Sequence, residues 1–426
     1  MAASDRPADV TVRGGTVVTA ESVQVADVVV RGGRVMAVVA PGTIGVAGPT
    51  SMSIDAGGLL VFPGMIDAHV HFQEPGREEW EGFETGSAAA AAGGVTTVVD
   101  MPIDCDPPTV TAALVEAKGV AVERHSRVDV AVWGGLVPAS LDDLEALAAA
   151  GVVGFKAFAC PSGWEDFPAV DEATLAAGLA AGARLDLPVA LHCELESLGH
   201  TAASEIAAVR WAAELAADAG ARLHVVHVSA AGAVDEARWW PGVTVETCPH
   251  YLFLDESEAA GIGATAHCNP PIRDLDNQER LWDHLLNGAI DLMASDHSPC
   301  PPSLKVGASP WAGIDGVGLA LPLLISDGRL HLTEIARLTT AAARLLRLPG
   351  KGFLAPGADA DLVMIDPDSP WTIAPETTWS RHRQSPFTGR TVKARVVMTL
   401  VRGRPVFTSD DGPLAPGHGH LVRPHR

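Results

Sequence analysis

The chain has 426 residues, with 30 Lys and Arg against 52 Asp and Glu, giving a formal net charge of −22. This acidic balance argues against a nucleic-acid or membrane partner, and 47% hydrophobic residues allow a large packed core. Six cysteines without CxxC spacing exclude a disulfide scaffold. No apolar run approaches the length of a membrane span and the N-terminal residues contain no apolar signal core, so we expect a cytoplasmic protein.

Alternating apolar runs near both ends of the chain predict β-strands. Residues 10–18 alternate and break at a glycine pair, as hairpins do, and a similar run returns at 361–366. Neither end is long enough to bury a core alone. We therefore expect one small discontinuous β-sandwich domain formed by residues 1–60 and 356–408, followed by a flexible tail at 409–426 that is rich in Gly and Pro.

Between these ends, short apolar runs alternate with helical stretches rich in Ala and Leu, a pattern typical of a parallel α/β sheet. Eight runs are present, at 65–72, 95–101, 128–136, 152–159, 188–193, 223–229, 243–248 and 290–295. Eight strand–helix units over roughly 290 residues predict a (β/α)8 TIM barrel, which we assign to residues 61–355. A doubly wound open sheet is the alternative, but the glycine-rich phosphate turn typical of that fold does not follow the first run.

Residues able to bind metal lie at the ends of five of these runs: His69, His71, Lys156, His192, His227 and Asp296. His69 and His71 have the i, i+2 spacing that places two side chains on one face of a strand, at the mouth where barrels hold their sites. Imidazole nitrogens suit zinc and its neighbours, and a divalent ion lowers the pKa of bound water towards neutrality. Lys156 is costly to bury as a cation, so we expect it to be paired, snorkelling, neutralised or modified.

The motifs, taken in order, resemble the cyclic-amidohydrolase branch of the amidohydrolase superfamily, which holds dihydroorotases, hydantoinases and allantoinases. The resembling segments cover nearly the whole chain: PGMIDAHVHFQEPGREEWEGFETG, GGVTTVVDMP, GFKAF, HVVHVS, TCPHYL, NPPIRD, ASDHSP and KGFLAPGADADLVMIDP. The resemblance implies hydrolysis of a cyclic amide by a homo-oligomer, with a tetramer as the family's usual state. It also implies a binuclear metal centre bridged by hydroxide and a carboxylated lysine.

Carried over by position, the resemblance implies that Lys156, as N6-carboxylysine, bridges the two divalent metal ions. The ligands of the first metal would be His69, His71, Lys156 and Asp296, and those of the second would be Lys156, His192 and His227. Asp296 would also act as general acid and base. Zinc is the expected metal, and iron, manganese, cobalt or nickel fit the same ligands.

Local differences between members of this branch favour one substrate. Gln73 stands where dihydroorotases carry an arginine that binds the substrate carboxylate, which disfavours a carboxylated substrate. The EPGREEWEGFETG and FACPSG stretches resemble allantoinases, so we expect conversion of allantoin, a small cyclic ureide, to allantoate. Expected substrate contacts are Gln73, Ser162, Gly163 and Asn269. The alternatives are a hydantoinase, dihydropyrimidinase or dihydroorotase-like hydrolase of another cyclic amide, or a non-catalytic assembly subunit.

Two features depart from the family pattern, and the roles of two histidines are left undecided by the sequence. The segment between His192 and His227 is shorter than the family suggests, and Asp104 stands where similar sequences often carry Asn. A carboxylate at that position would repel an anionic substrate. His250 competes with His227 as a ligand and is otherwise expected behind the ligands or facing the substrate. His297 is expected either to orient Asp296 or to pack.

Overall fold

The structure, a computed structural model, describes residues 9–43 and 52–425. Its strands are β1 Val10–Val18, β2 Val23–Arg31, β3 Arg34–Val39, β4 Met52–Asp55, β5 Leu60–Pro63, β6 Met65–Val70, β7 Val95–Asp100, β8 Asp129–Val132, β9 Gly134–Gly135, β10 Phe155–Phe158, β11 Val189–His192, β12 Leu223–Val225, β13 Val243–Thr247, β14 Leu292–Met293, β15 Leu362–Asp366, β16 Trp371–Thr372, β17 Thr391–Val392, β18 Arg395–Val401, β19 Arg404–Thr408 and β20 Gly412–Pro413. Its α-helices are α1 Gly82–Ala92, α2 Ala112–His125, α3 Leu144–Ala150, α4 Glu172–Leu185, α5 Ala202–Ala219, α6 Ala231–Ala237, α7 Pro249–Phe253, α8 Glu256–Ile262, α9 Leu275–Leu286, α10 Ala320–Asp327, α11 Leu332–Thr340 and α12 Ala342–Leu345. Within these two ranges, no helix combines the length and apolar character needed to cross a membrane.

Strands β6 to β14 form a parallel barrel. The strands β6, β7 and β8 pair in that order, and β9 to β14 pair in order as a second arc. The strands β8 and β9 are two halves of one strand interrupted at Trp133, so the ring has eight positions. The arcs join where Val153 N donates to Val132 O, and the ring closes where His71 N donates to His297 O at 2.7 Å. The predicted (β/α)8 barrel is confirmed.

Helix α1 shows how composition determines packing around the barrel. Its alanine run packs between β7 and the strands β18 to β20, with Ala88 to Ala91 buried. Because these side chains are small, the helix backbone can approach both layers closely. The approach is closest at its C-terminal end, where Gly93 lies against the backbone of Gly318 and a Cβ would overlap it.

The two ends of the described chain form a single nine-stranded sheet. Its order is β20-β19-β18-β15-β5-β1-β2-β3, with β4 pairing with β1. Strand β5 is the join, because it pairs with β1 on one side and antiparallel with β15 on the other. The sheet encloses a core of its own, which includes Val12, Val28, Val61, Leu362 and Leu400. The predicted β domain built from both chain ends is therefore present, as one continuous sheet.

A buried ion cluster fixes this sheet to the barrel. The ammonium of Lys351 contacts Asp129 at 2.5 Å, Asp361 at 2.7 Å and Asp359 at 3.1 Å. Asp129 begins strand β8 of the barrel and Asp361 precedes β15 of the sheet. Arg402 also pairs with Asp129. The cluster therefore joins the barrel to the nine-stranded sheet, because the Lys351 ammonium contacts carboxylates from both.

Residues 409–425 pack against the nine-stranded sheet and then the barrel, which corrects the expectation of a flexible tail. The strand β20 pairs with β19, and Leu421 forms a parallel bridge with Val130 of β8. The amide of His420 donates to the Asp129 carboxylate at 2.9 Å. A composition rich in Gly and Pro indicates flexibility only when the backbone lacks partners, and here the barrel edge supplies them.

Candidate metal and substrate site

The six predicted ligand residues converge at the C-terminal mouth of the barrel. They occupy or follow the ends of β6, β10, β11, β12 and β14, and all six are buried: His69, His71, Lys156, His192, His227 and Asp296. All except Lys156 line one cavity of about 290 Å³. Its wall also includes Ser162, Gly163 and Asn269. Barrel enzymes place their chemistry at this end of the strands.

The first group consists of His69, His71 and Asp296. The Nε2 atoms of the two histidines lie 3.3 Å apart. Asp296 Oδ1 lies 3.2 Å from His69 Nε2 and 3.5 Å from His71 Nε2. Burial raises the pKa of Asp296, but the two histidines lower it below its usual value, so the carboxylate is ionised at neutral pH. Three potential ligand atoms thus surround one point.

A carboxylate lies behind each of these two rings. Glu246 Oε1 is 2.6 Å from His69 Nδ1, and Asp104 Oδ2 is 2.7 Å from His71 Nδ1. Since an ionised carboxylate only accepts hydrogen bonds, either ring in its neutral form would carry its proton on Nδ1 and leave the Nε2 lone pair on the side of Asp296. Burial lowers the pKa of His71, but Asp104 and Asp296 raise it to about 9. The group therefore favours a positive charge at this point, and the donor set fits a divalent cation.

The second group pairs His192 with His227. His192 Nδ1 lies 3.0 Å from His227 Nε2, while His192 Nε2 lies 2.8 Å from Glu194. Burial lowers the pKa of both histidines, so each stays in the neutral form that binds metal. His227 Nδ1 has no hydrogen-bond partner within the described ranges. The His227 amide donates to Glu246, which therefore supports both groups.

Lys156 differs from the other deeply buried lysines of the barrel. Lys118 pairs with Asp100, and Lys351 lies among three carboxylates. No described carboxylate lies within ion-pairing distance of Lys156; its Nζ donates to Ala157 O at 3.2 Å and lies 3.7 Å from the centre of the Phe158 ring. Burial lowers the pKa of Lys156 to about 8, although the Asp296 charge opposes the shift. A neutral amine is the form that reacts with carbon dioxide.

The predicted substrate contacts divide into two sets. Ser162, Gly163 and Asn269 line the cavity, with the Ser162 hydroxyl donating to Phe167 O at 2.6 Å. Gln73 does not line it, which corrects the sequence expectation. Its side-chain amide donates to Pro299 O at 2.8 Å behind the wall. The left-handed backbone of Gln73, with φ at 59°, turns this side chain away from the direction that strand alternation would give it.

The two additional histidines lie outside the cavity wall. His250 is buried against Tyr251, and burial lowers its pKa to about 4. The His297 side chain faces Glu81 and Asp315 and makes no hydrogen bond to the Asp296 carboxylate. His297 therefore does not orient Asp296 through its ring, and its carbonyl instead accepts the amide proton of His71.

Comparison with known proteins shows which family has this architecture. A family model described as the amidohydrolase family matches residues 60–406. The chain belongs to the amidohydrolase family. Proteins named allantoinase from Solibacter usitatus and Rubrobacter xylanophilus are each 42% identical to it, covering 98% of this chain and 97% and 98% of their own lengths. An allantoinase from Escherichia coli K12 is 38% identical, covering 98% of this chain and 99% of its own.

Solved structures of amidohydrolases have the same fold. An L-hydantoinase (dihydropyrimidinase) from Arthrobacter aurescens superposes with a TM-score of 0.92 and 31% identity, covering 98% of this chain and all of the other. A dihydropyrimidinase from Brevibacillus agri gives 0.86 and 28%, covering 97% and 98%. Amidohydrolase membership implies divalent metal ions, and the grouping of His69, His71 and Asp296 around one point is compatible with one.

Sequence reasoning missed Glu246 and Glu194, the carboxylates behind the His69 and His192 rings of this amidohydrolase. A usable signal was present for each. Glu246 is a charged residue inside the apolar run of β13, the same oddity that marks Lys156, and it is fully buried. Glu194 follows His192 at the i, i+2 spacing already used for His69 and His71. A buried charge in a barrel strand therefore indicates a partner in the site even when it is not itself a ligand.

Proposed function

We propose that this protein opens the hydantoin ring of allantoin by hydrolysis to give allantoate. The observation that carries the proposal is the convergence of five of the six buried ligand residues on one cavity, three of them around a single point. Allantoinases at 38% to 42% identity over nearly full length support the choice of substrate.

The residues present fit two divalent metal ions. His69, His71 and Asp296 would hold the first, and His192 and His227 the second. Lys156 would join them as N6-carboxylysine, formed when neutral Nζ adds carbon dioxide and releases one proton. Zinc is the metal we propose, with iron, manganese, cobalt or nickel as alternatives. Bound metals polarise a carbonyl oxygen and make water nucleophilic at neutral pH.

Asp296 is the group that we assign to proton transfer. Its Oδ1 lies at the meeting point of His69 and His71, at the cavity wall. The carboxylate would accept a proton from water as the water oxygen bonds to the ring carbonyl carbon. It would then deliver that proton to the ring nitrogen as the carbon–nitrogen bond breaks.

The charge of the cavity agrees with an uncharged ureide. Among the described residues, no lysine or arginine lines the wall, so a substrate carboxylate would find no cationic partner. The polar wall groups Ser162, Gly163 and Asn269 are the substrate contacts that we propose, through hydrogen bonds to the amide and ureido groups. We leave out Gln73 because its amide is bound to Pro299.

A second candidate is hydrolysis of another hydantoin or dihydropyrimidine ring. The observation that favours it is the likeness of the fold to solved hydantoinases and dihydropyrimidinases. The two candidates share the same metal groups and differ in the ring substituent that the wall accepts.

The deciding experiment incubates purified protein with zinc and bicarbonate and then offers allantoin, hydantoin, dihydrouracil and dihydroorotate in parallel. We expect allantoate to form fastest and Asp296→Asn to lower kcat by at least about 100-fold. Faster turnover of another ring would replace the first candidate by the second. No turnover of any ring by a metal-loaded protein would overturn both.

We propose two further properties together with this function. The chain would assemble as a homotetramer, which light scattering of the purified protein would measure directly. The domain boundaries would fall near residues 60 and 356, with the barrel between them. Because β5 at Leu60–Pro63 belongs to the sheet, the first boundary moves to Gly64, between β5 and β6.

A further inference from the structure

The ring of His71 is held from the side opposite Asp296. Strand β6 ends at Val70, so His71 lies beyond the regular strand, and its amide is anchored on His297 O. Its Nε2 faces Asp296, while its Nδ1 lies 2.7 Å from Asp104 Oδ2. The ring therefore spans the distance between a carboxylate of the metal site and one outside it.

Both oxygens of the Asp104 carboxylate already have partners. Oδ2 lies 2.7 Å from His71 Nδ1 as an ion-pair contact, and Oδ1 accepts from the indole Nε1 of Trp164 at 2.6 Å. The side chain is only 11% exposed, although Asp104 lies at the cavity wall. Neither oxygen is therefore turned freely to a substrate, which weakens the interpretation of Asp104 as a group that repels anions.

The loop that carries Asp104 is itself held in place. The Arg77 guanidinium donates to the carbonyl oxygens of Asp104 at 3.0 Å and Cys105 at 2.9 Å. The same guanidinium stacks on the Trp164 ring at 3.8 Å. Asp104 has a left-handed backbone with φ at 67°, a conformation that Asp tolerates better than most residues. Arg77, Trp164 and Asp104 thus form one support around the His71 ring.

We propose that Asp104 is a positioning residue that fixes His71 for metal binding, and that Trp164 makes a carboxylate necessary there. A carboxylate can accept from His71 and from Trp164 at once. An asparagine has only one acceptor atom, so its NH2 group would oppose either the His71 Nδ1–H or the Trp164 indole N–H. The inference rests on the proposed function for the presence of metal.

The test compares metal retention in the wild type, D104N, W164F and the double variant D104N/W164F. Each is loaded with zinc, and the release of zinc to a chelator is timed. We expect D104N to release zinc 10 to 100 times faster, as losses of such partners do elsewhere. Removal of the indole N–H in the double variant frees the asparagine oxygen for His71, so release should return to within a few-fold of W164F.

A control and a second readout separate positioning from general damage. Asp106→Asn changes a carboxylate of the same loop whose side chain is 59% exposed and pairs with Arg77 at 3.6 Å, and it should release zinc as the wild type does. With cobalt in place of zinc, the visible spectrum should change in D104N and return in the double variant.

Three outcomes would overturn the inference in different ways. If wild type binds zinc and D104N retains it equally well, Asp104 does not position His71, and the proposed function stands. Equal rates of zinc release by D104N and by the double variant would show that Trp164 does not make a carboxylate necessary at position 104. Wild-type protein that binds no divalent metal would overturn the proposed function together with this inference.

Discussion

Three lysines buried in the barrel region show that a neighbouring carboxylate determines the direction in which the pKa of a buried lysine shifts. Lys118 and Lys351 contact carboxylates, and burial does not prevent the pKa of either from being raised above its usual value. Lys156 has no such partner, and burial lowers its pKa to about 8. The sequence pattern singled out Lys156 alone. The carboxylates that pair with the other two lysines, such as Asp100 and Asp129, lie on separate strands, and only the fold brings them together.

Lys156→Ala should lose bound metal and activity together. A bridging ligand contributes to both metal groups, so we expect more than about 100-fold weaker metal binding, beyond the loss typical of a supporting partner. Metal per chain and turnover are measured side by side, and circular dichroism checks the fold. Acetate or another short-chain acid should restore part of both. Retention of two metals by this variant would contradict the carboxylated lysine.

Glu246→Gln should destabilise the metal-free protein by about 3 kcal/mol or more. The carboxylate serves the rings of His69 and His224 and the amide of His227, and one amide oxygen cannot accept from all three. Urea unfolding without metal measures this loss apart from metal binding. Glu145→Gln is the control. The Glu145 side chain is 72% exposed, so its ion pair with Arg184 should contribute less than about 1 kcal/mol to stability.

At the scale of strands and loops, periodicity predicted the barrel but not the direction of every side chain. The eight apolar runs coincide with the strand positions because β-branched residues buried on both faces form continuous runs. Four non-glycine residues at the barrel mouth have left-handed backbones: Gln73, Asp104, His227 and Asp296. Such residues leave the alternation of a strand. His227 and Asp296 were found because they lie at the ends of apolar runs, whereas Gln73, expected at the substrate through resemblance, lies behind the wall.

Gly76→Ala should disturb the loop contact that supports Asp104. Gly76 has φ at 97°, and a Cβ there would overlap the carbonyl oxygen of Asp106. Gly357→Ala is a matched control, with φ at 96° and nothing near the added methyl group. The control should cost about 1 kcal/mol from backbone strain alone, and Gly76→Ala should cost clearly more. Urea unfolding compares them, and equal losses would remove the close contact as the cause.

The molecule as a whole is held by contacts between residues far apart in the chain. Pairing of the two ends was predictable, because each end has strands but too little surface for a core. The Lys351 cluster and the packing of residues 409–425 were not predictable. Both depend on Asp129, whose partners come from several distant segments, and no local pattern encodes such a meeting.

Lys351→Met should leave three carboxylates facing one another and lower the free energy of unfolding by about 3 to 5 kcal/mol. The loss should be greatest near neutral pH. Burial raises the pKa of Asp129, but Lys351 and Arg402 lower it below its usual value, so its stabilising contribution is present above about pH 4 and fades on further acidification.

Urea unfolding at pH 7 and at about pH 2.5, below the pKa of an unfolded aspartate, measures the effect of Lys351→Met. The exposed pair of Arg280 with Asp235, at 2.8 Å, supplies the control: Arg280→Ala should cost less than about 1 kcal/mol at either pH. A loss in Lys351→Met that stays within this range would show that the cluster does not hold the sheet to the barrel.

The place of β5 in the sheet has a consequence for synthesis on the ribosome. Residues Leu60–Pro63 are made early, but their antiparallel partner Leu362–Asp366 emerges only after the whole barrel has been translated. At a translation rate of about 5 to 20 residues per second, the apolar strand LVFP remains without its β15 partner for roughly 15 to 60 seconds. An open strand edge of this kind pairs readily with another nascent chain. We therefore expect slower translation to lengthen the exposure of this edge and to raise the risk of aggregation while the protein is being made.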